Sequence, residues 1–112
     1  MNADHPVAKQ LAAYNGRDIE AYIAAFSPNI EVYHLSNAAP YVVGREQLKE
    51  IWGDVFERSP NLHCKVVHRS SYGDFVIDHE EVTGHCKAPE GLKIAAIYQI
   101  ANDEIIKVWF SK

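Results

Sequence analysis

The spacing of apolar residues in the first half of the chain predicts three helices, each with one apolar face. The first begins near Asp4-His5-Pro6, because proline suits the first helical position, and it ends at Asn15-Gly16, since both residue types tolerate the left-handed conformation of a helix end. The second follows Asp18 as its N-cap and stops at Ser27-Pro28-Asn29, where proline cannot continue a helix. The third spans Arg45–Arg58. The apolar stripe of the second helix is Ile19, Tyr22, Ile23 and Phe26, and that of the third is Leu48, Ile51, Trp52, Val55 and Phe56.

The remaining segments are rich in β-branched and aromatic residues and predict strands. The predicted strands are Ile30–Leu35, Leu62–Tyr72, Phe75–Cys86, Leu92–Ala101 and Glu104–Phe110, with a loop over Ser36–Gly44. The last four are separated only by Gly73-Asp74, Lys87–Gly91 and Asn102-Asp103, which are short and contain turn-forming residues. Such breaks indicate an antiparallel meander of hairpins. Helices followed by a meander predict an α+β domain with the helices on one face of the sheet.

Length and composition predict one domain over residues 1–112, in which 47% of residues are hydrophobic and 23% are charged. The net charge of −4 provides no basic surface, so we expect no nucleic-acid partner. No apolar run approaches the roughly 20 residues of a membrane span, and the N-terminal residues do not follow a signal-peptide pattern. We therefore expect a cytoplasmic protein with no membrane partner, whose two cysteines, Cys64 and Cys86, stay reduced as small strand residues.

The order of these elements resembles the nuclear transport factor 2-like superfamily, and within it the SnoaL-like and ketosteroid-isomerase-like small proteins. The motifs that carry the resemblance are AYNGRDIEAYIAAFSPNIEVY, VVGREQL and AIYQIANDEIIKVWF, and the similarity covers nearly the whole chain. The resemblance implies a cone-shaped, strongly curved antiparallel sheet wrapped around three helices, with a pocket open at one end.

The catalytic residues of ketosteroid isomerase are not retained in this sequence. By the resemblance, the oxyanion-hole tyrosine of that enzyme corresponds to Gln10, its basic aspartate to His34, and its protonated aspartic acid to a position near Ala96. The aromatic cyclases of the SnoaL group use an acidic residue late in the last strand, whereas this chain ends Trp109-Phe110-Ser111-Lys112. We therefore expect no true ketosteroid isomerase activity.

Strand alternation and the resemblance together predict a pocket with acid–base groups. Val76, Asp78, Glu80 and Val82 share one face of their strand, which the resemblance places on the concave side. The predicted catalytic residues are His34, Asp78 and Glu80, and the predicted apolar, aromatic or ligand-binding lining is Tyr14, Trp52, Ala96, Tyr98, Val108 and Phe110. An imidazole beside a carboxylate forms a proton-transfer pair, and a carboxyl group among aromatic residues has a raised pKa.

Each of these residues also has a structural interpretation. Strand carboxylates often face water, His34 fits a hydrogen-bonded structural histidine, and Trp52 and Tyr98 fit an ordinary core. The histidines and cysteines lack the close spacing of a metal site, and the chain has no cofactor motif, so we expect neither a metal nor a cofactor. Two function classes follow: an acid–base isomerase, dehydratase or cyclase that binds a small hydrophobic molecule, and a non-catalytic ligand-binding or dimerisation module.

The convex face of the predicted sheet is apolar as well. The residues whose side chains alternation directs away from the pocket are Phe75, Ile77, Ile97, Ile105 and Trp109. An apolar patch of several hundred Å² is uncommon on a monomer, and a twofold contact buries the same patch on both copies. We therefore expect a homodimer that pairs through this face. The alternative is a solvated face, which the interspersed Lys93, Gln99 and Lys107 also fit.

Overall fold

The computed structural model describes residues 5–111, which form three helices and six strands; Asp4 of the predicted first helix start lies outside the described residues. The helices are α1 (His5–Asn15), α2 (Ile19–Ala24) and α3 (Arg45–Arg58). The strands are β1 (Phe26–His34), β2 (Val42–Val43), β3 (His63–Tyr72), β4 (Phe75–Thr83), β5 (Leu92–Ala101) and β6 (Glu104–Phe110). Within residues 5–111 no helix is long and apolar enough to cross a membrane.

The strands form one curved, unclosed sheet in the order β2-β1-β6-β5-β4-β3. The predicted architecture and the antiparallel meander from β3 to β6 are confirmed. One pairing differs from the antiparallel sheet that was expected: β1 runs parallel to β6, so the sheet is mixed. This pairing joins two strands separated by α3 and the whole meander, and such a long connection permits a parallel neighbour where a tight hairpin does not.

Several element boundaries differ from the sequence prediction. Helix α2 ends at Ala24, and β1 already begins at Phe26, so Pro28 lies inside a strand and not at a helix end. The β1–β6 register shifts between Phe26 and Glu31, which accommodates a residue without an amide hydrogen. The predicted loop contains the short strand β2, and β4 ends before Gly84, whose φ is 73°.

The first helix ends at Asn15, as predicted, but the left-handed residue that follows it is not the predicted one. Arg17, with a φ of 51°, adopts the left-handed conformation that was assigned to Asn15-Gly16. Asn15 instead binds the backbone of β3: its Nδ2 donates to the Cys64 carbonyl at 3.0 Å, and its Oδ1 accepts from the Cys64 amide at 2.7 Å. This pair of bonds attaches α1 to the sheet edge that carries the candidate site.

The helices cover the concave face of the sheet, and the alternation in β4 agrees with the prediction. Val76, Asp78, Glu80 and Val82 are all buried on this face. The hydrophobic core joins the helices to the strands through Val7, Tyr22, Leu48, Phe56, Val76, Tyr98, Ile105, Val108 and other apolar residues.

The predicted position of Ile105 on the convex face is wrong, because this residue is fully buried. The register of β5 and β6 shifts between Gln99 and Ile100, so Ile106 is an additional residue in β6. Such a bulge reverses the side-chain parity beyond it, and Ile105 therefore points into the core.

Candidate functional site

A cavity of about 360 Å³ lies between the helices and the concave face. It is located where several strand ends meet: His34 at the end of β1 pairs with Phe110 at the end of β6, and Val82 near the end of β4 pairs with Leu92 at the start of β5. The cavity is lined by Gln10, Leu11, Tyr14, Tyr22, His34, Tyr41, Ile51, Trp52, Val55, Cys64, Glu80, Val82, His85, Lys87, Leu92, Ile94, Tyr98 and Phe110.

Aromatic rings supply much of the cavity wall because α2, α3 and β6 each place a ring on the same side. Trp52 stacks between Tyr22, at a centroid distance of 6.1 Å, and Phe110, at 6.3 Å. Tyr14 packs edge-on against Phe56 at 5.5 Å. Ring pairs in these arrangements stabilise one another beyond the area they bury. The wall therefore suits a flat or cyclic apolar molecule.

A chain of hydrogen bonds connects α1 to the carboxyl group of Glu80. Gln10 Nε2 donates to the Val7 carbonyl at 3.0 Å and to the Tyr98 hydroxyl at 3.3 Å. The Tyr98 hydroxyl in turn donates to Glu80 Oε2 at 3.3 Å. Burial, and then the charge of Glu80, raise the pKa of Tyr98 well above its usual value, so Tyr98 keeps the proton that it donates.

The Glu80 carboxyl group is only 7% exposed. Burial, and secondarily the negative charge of Asp78, raise its pKa to about 7; hydrogen bonds from Tyr98 and from the Cys64 thiol act in the opposite direction. A carboxylic acid is an efficient proton carrier when its pKa lies near the working pH. This pKa makes Glu80 a candidate general acid or base at neutral pH.

Asp78, a predicted catalytic residue, lies on the same face as Glu80 but is not among the residues that line the cavity. It is 0% exposed, and its two carboxylate oxygens accept from Arg69 Nε at 2.6 Å and Nη2 at 2.8 Å. Arg69 lies directly opposite Asp78 in the β3–β4 pair. Asp78 is thus a member of a buried ion pair beneath the site.

The other predicted site residues divide between cavity and core. His34 lines the cavity and stacks on Tyr41 at a centroid distance of 4.1 Å. Tyr14, Trp52, Tyr98 and Phe110 also line it. Ala96 and Val108 do not: both are buried in the core. Their neighbours across the β5–β6 pair, Phe110 and Tyr98, line the cavity in their place.

Sequence reasoning missed several lining residues. Tyr22 was visible as part of the apolar stripe of α2, whereas Cys64 was not, because the bulge at Val67 changes the parity of β3. Burial, and then the charge of Glu80, raise the pKa of the Cys64 thiol. Gln10, Tyr41, His85 and Lys87 were also missed. The last three lie outside the regular part of the sheet, where periodicity carries no signal.

Removing the Glu80 charge should change how stability depends on pH. The pKa of Glu80 is raised from 4.5 to about 7 on folding, so the folded protein holds the proton more tightly than the unfolded chain. The resulting stabilisation of the folded state is complete below about pH 4.5. It is lost as the pH rises to about 7, which lowers the free energy of unfolding by roughly 3 kcal/mol. Glu80→Gln lacks this ionisable group, so its unfolding free energy should not fall with pH in this way. The unfolding free energy of Glu80→Gln minus that of wild type should therefore increase by roughly 3 kcal/mol between pH 4 and pH 8.

Urea denaturation at a series of pH values tests this prediction. Parallel stability curves for the two proteins would show that the carboxyl group of Glu80 titrates as it does in the unfolded chain.

Among residues 5–111, no three His, Cys, Asp or Glu side chains lie close enough together to form a candidate metal centre.

Comparisons with known proteins identify the domain. A family model for the SnoaL-like domain matches residues 7–108. None of the curated proteins matches the sequence at a significant level.

Several solved structures share the fold. A cystatin-fold protein of Novosphingobium aromaticivorans is 20% identical, with a TM-score of 0.89 over 100% of this chain and 99% of its own. A ketosteroid-isomerase-like protein of Catenulispora acidiphila, in complex with trimethylamine, is 20% identical, with a TM-score of 0.78 over 95% and 83% of the two chains. A candidate polyketide cyclase of Sinorhizobium meliloti is 14% identical, with a TM-score of 0.79 over 98% and 99%. At these identities, the likeness establishes the fold alone.

Proposed function

The chain belongs to the SnoaL-like domain family, and we propose that it is a small-molecule enzyme that performs acid–base chemistry on an apolar substrate. The observation that carries the proposal is the position of Glu80, a buried carboxyl group with a pKa of about 7, at an aromatic cavity. A purely structural cavity would not need an ionisable group there, because burying one without a charged partner costs stability.

The chemistry that this arrangement supports is proton transfer at a carbon next to a carbonyl group. The Glu80 carboxylate takes the proton, and the electron pair of the broken C–H bond moves towards the carbonyl oxygen to form an enolate. Glu80 then returns the proton to the same carbon or to another. In a ring closure, the enolate carbon instead attacks a second carbonyl carbon of the substrate, the electron pair of that C=O bond moves to its oxygen, and the resulting alkoxide takes the proton from Glu80. His34, which lines the same cavity, is proposed as a second proton carrier. Isomerases, dehydratases and cyclases all use such steps.

The comparisons favour this class without identifying a substrate. The structural neighbours include candidate polyketide cyclases from Sinorhizobium meliloti and Jannaschia, and ring closure of a polyketide proceeds through an enolate. True ketosteroid isomerase activity remains excluded from the proposal, because Gln10, His34 and Ala96 stand where that enzyme carries its catalytic residues.

Hydrogen–deuterium exchange tests the proposal with simple ketones in place of the natural substrate, because the proton-transfer step requires only an acidic C–H bond next to a carbonyl group. A panel of apolar cyclic ketones, such as 2-tetralone and 2-indanone, is incubated with the protein in D₂O near neutral pD and followed by NMR. We expect exchange next to the carbonyl group at a rate proportional to protein concentration. Ketones that bind without accelerated exchange would support the alternative, a non-catalytic binding module, and would contradict the enzyme.

We also propose that two copies of the chain pair through the convex face of the sheet. Tyr33, Trp109, Ile97 and Ile77 form one row of directly paired residues across β1, β6, β5 and β4. Tyr33 stacks on Trp109 at 5.5 Å, and Phe75, which is 38% exposed, extends the row. Side chains in such a row present a continuous apolar surface, which a second copy would cover.

Light scattering at micromolar concentration tests the pairing. We expect about twice the monomer mass of 12.6 kDa, and a return to the monomer mass when Ile77 is changed to Lys and Trp109 to Glu. Ala24→Lys, which adds a charge at an exposed position of helix α2, outside this face of the sheet, is the control. A wild-type mass near 12.6 kDa would refute the dimer, and a dimer that survives the double change would assign it to another face.

A further inference from the structure

A lysine, Lys87, lies at the rim of the cavity, and the proposed proton transfer at Glu80 assigns no role to it. Among the described residues that line it, Lys87 is the only lysine or arginine and Glu80 the only acid. Lys87 belongs to the segment between β4 and β5, at the end of the sheet where the cavity opens. Lys87 is exposed, so its side chain can contact a ligand that enters from solvent.

The segment that carries Lys87 is fixed to the body of the protein. The Cys86 amide donates to Ser59 Oγ at 2.9 Å, and Ser59 is buried at the end of α3. Gly84 packs so closely that a Cβ atom there would lie 2.2 Å from the Asn61 carbonyl oxygen. His85 and Ala88 form a short bridge. The position of Lys87 at the rim is therefore defined by the fold.

His85 adds a neutral hydrogen-bond donor beside this charge. Its Nδ1 accepts the Lys87 amide hydrogen at 3.0 Å, so the proton of the neutral ring resides on Nε2. Burial, and then the charge of Lys87, lower the pKa of His85, which keeps the ring neutral at neutral pH. Both residues line the cavity, so the Lys87 ammonium group and the His85 N–H provide two donors for an oxyanion at its rim.

We propose that the substrate is an amphipathic organic acid whose carboxylate is held by Lys87 and His85, while its apolar body lies in the aromatic cavity. This inference rests on the proposed function: proton transfer at Glu80 needs only the reacting C–H bond, and the bound carboxylate adds a fixed orientation of the substrate. A carboxylate held at the rim keeps its charge away from Glu80 and directs the apolar, reacting part of the molecule inwards. A substrate without the charge would lack that orientation.

A matched pair of ligands tests the inference: 2-naphthylacetic acid and its methyl ester share one apolar body and differ in charge. Binding of both to the full chain is measured by calorimetry at pH 7. We expect wild type to bind the acid more tightly than the ester, by about three- to tenfold. Lys87→Met should abolish the preference, Lys87→Arg should keep it, and added salt should weaken it.

Lys93→Met is the charge-matched control, because Lys93 is an exposed residue on β5 that does not line the cavity. It should leave the preference unchanged. Two results would overturn the carboxylate site: equal binding of acid and ester to wild type, or an equal loss of the preference for the acid in Lys87→Met and Lys93→Met. Either result would leave the proposed apolar cavity and its chemistry intact. If neither compound binds, and no ketone of the panel exchanges, the proposed function itself fails.

Discussion

Glu80→Gln should abolish the proton exchange of apolar ketones, with a loss of about 10²- to 10⁴-fold in kcat/KM. The amide is nearly isosteric with the carboxyl group and can still accept the hydrogen bond from Tyr98, which in wild type reaches Glu80 Oε2 at 3.3 Å. It cannot take a proton at neutral pH. The variant therefore keeps the shape of the cavity and removes only the proton carrier.

The matched control is Glu81→Gln, which makes the same chemical change at the next residue of β4. Glu81 has the opposite strand parity and does not line the cavity, so its loss should leave the rate within about twofold. Exchange at the wild-type rate by the Glu80 variant would assign the chemistry to another group, of which His34 is the first candidate.

The pH profile provides a second measurement of the same prediction. The base form of Glu80 is the carboxylate, so wild-type kcat/KM should rise with pH and level off above about 7, the pKa to which burial raises this group. Residual activity of Glu80→Gln should lose that inflection. A profile that falls through neutral pH would instead identify a protonated group as the essential one.

Most of the fold was predictable because its turns are marked in the sequence. Helix α3 and the strands β5 and β6 begin and end at the predicted residues, and Asn102 and Asp103 both adopt positive φ in the turn between β5 and β6. Asparagine and aspartate tolerate that conformation better than other residues with side chains. The parallel pairing of β1 with β6 was not predictable in this way, since no local turn determines which strand lies beside β1.

The candidate site was predictable only where strand alternation continues without interruption. Alternation in β4 places Glu80 on the concave face, and the two-residue break at Gly73-Asp74 already implies that Arg69 lies opposite Asp78, as the structure shows. The bulges at Val67 and Ile106 carry no such signal, so Cys64 was missed and Ile105 was assigned to the wrong face. A bulge depends on how two strands twist against each other, which one strand's pattern does not reveal.

Arg69→Met should destabilise the protein by about 3–5 kcal/mol at neutral pH, the cost of leaving one member of a buried ion pair unpaired. Asp78 is 0% exposed, whereas Arg69 is 24% exposed, so the carboxylate depends on the guanidinium and has no access to water. Methionine fills much of the volume of the arginine stem but donates no hydrogen bond. Thermal denaturation should show a fall in Tm of about 13–21 °C.

The double variant Arg69→Met with Asp78→Asn separates loss of charge pairing from loss of packing. Without a buried charge, the double variant should regain at least half of the lost free energy of unfolding, because a neutral amide costs far less to bury than a carboxylate. Asp78→Asn alone should cost less than Arg69→Met, since Arg69 is partly exposed and can turn its guanidinium towards solvent. If the double variant is no more stable than Arg69→Met, the arginine stabilises the sheet by packing, and the charge of Asp78 is not what makes it necessary.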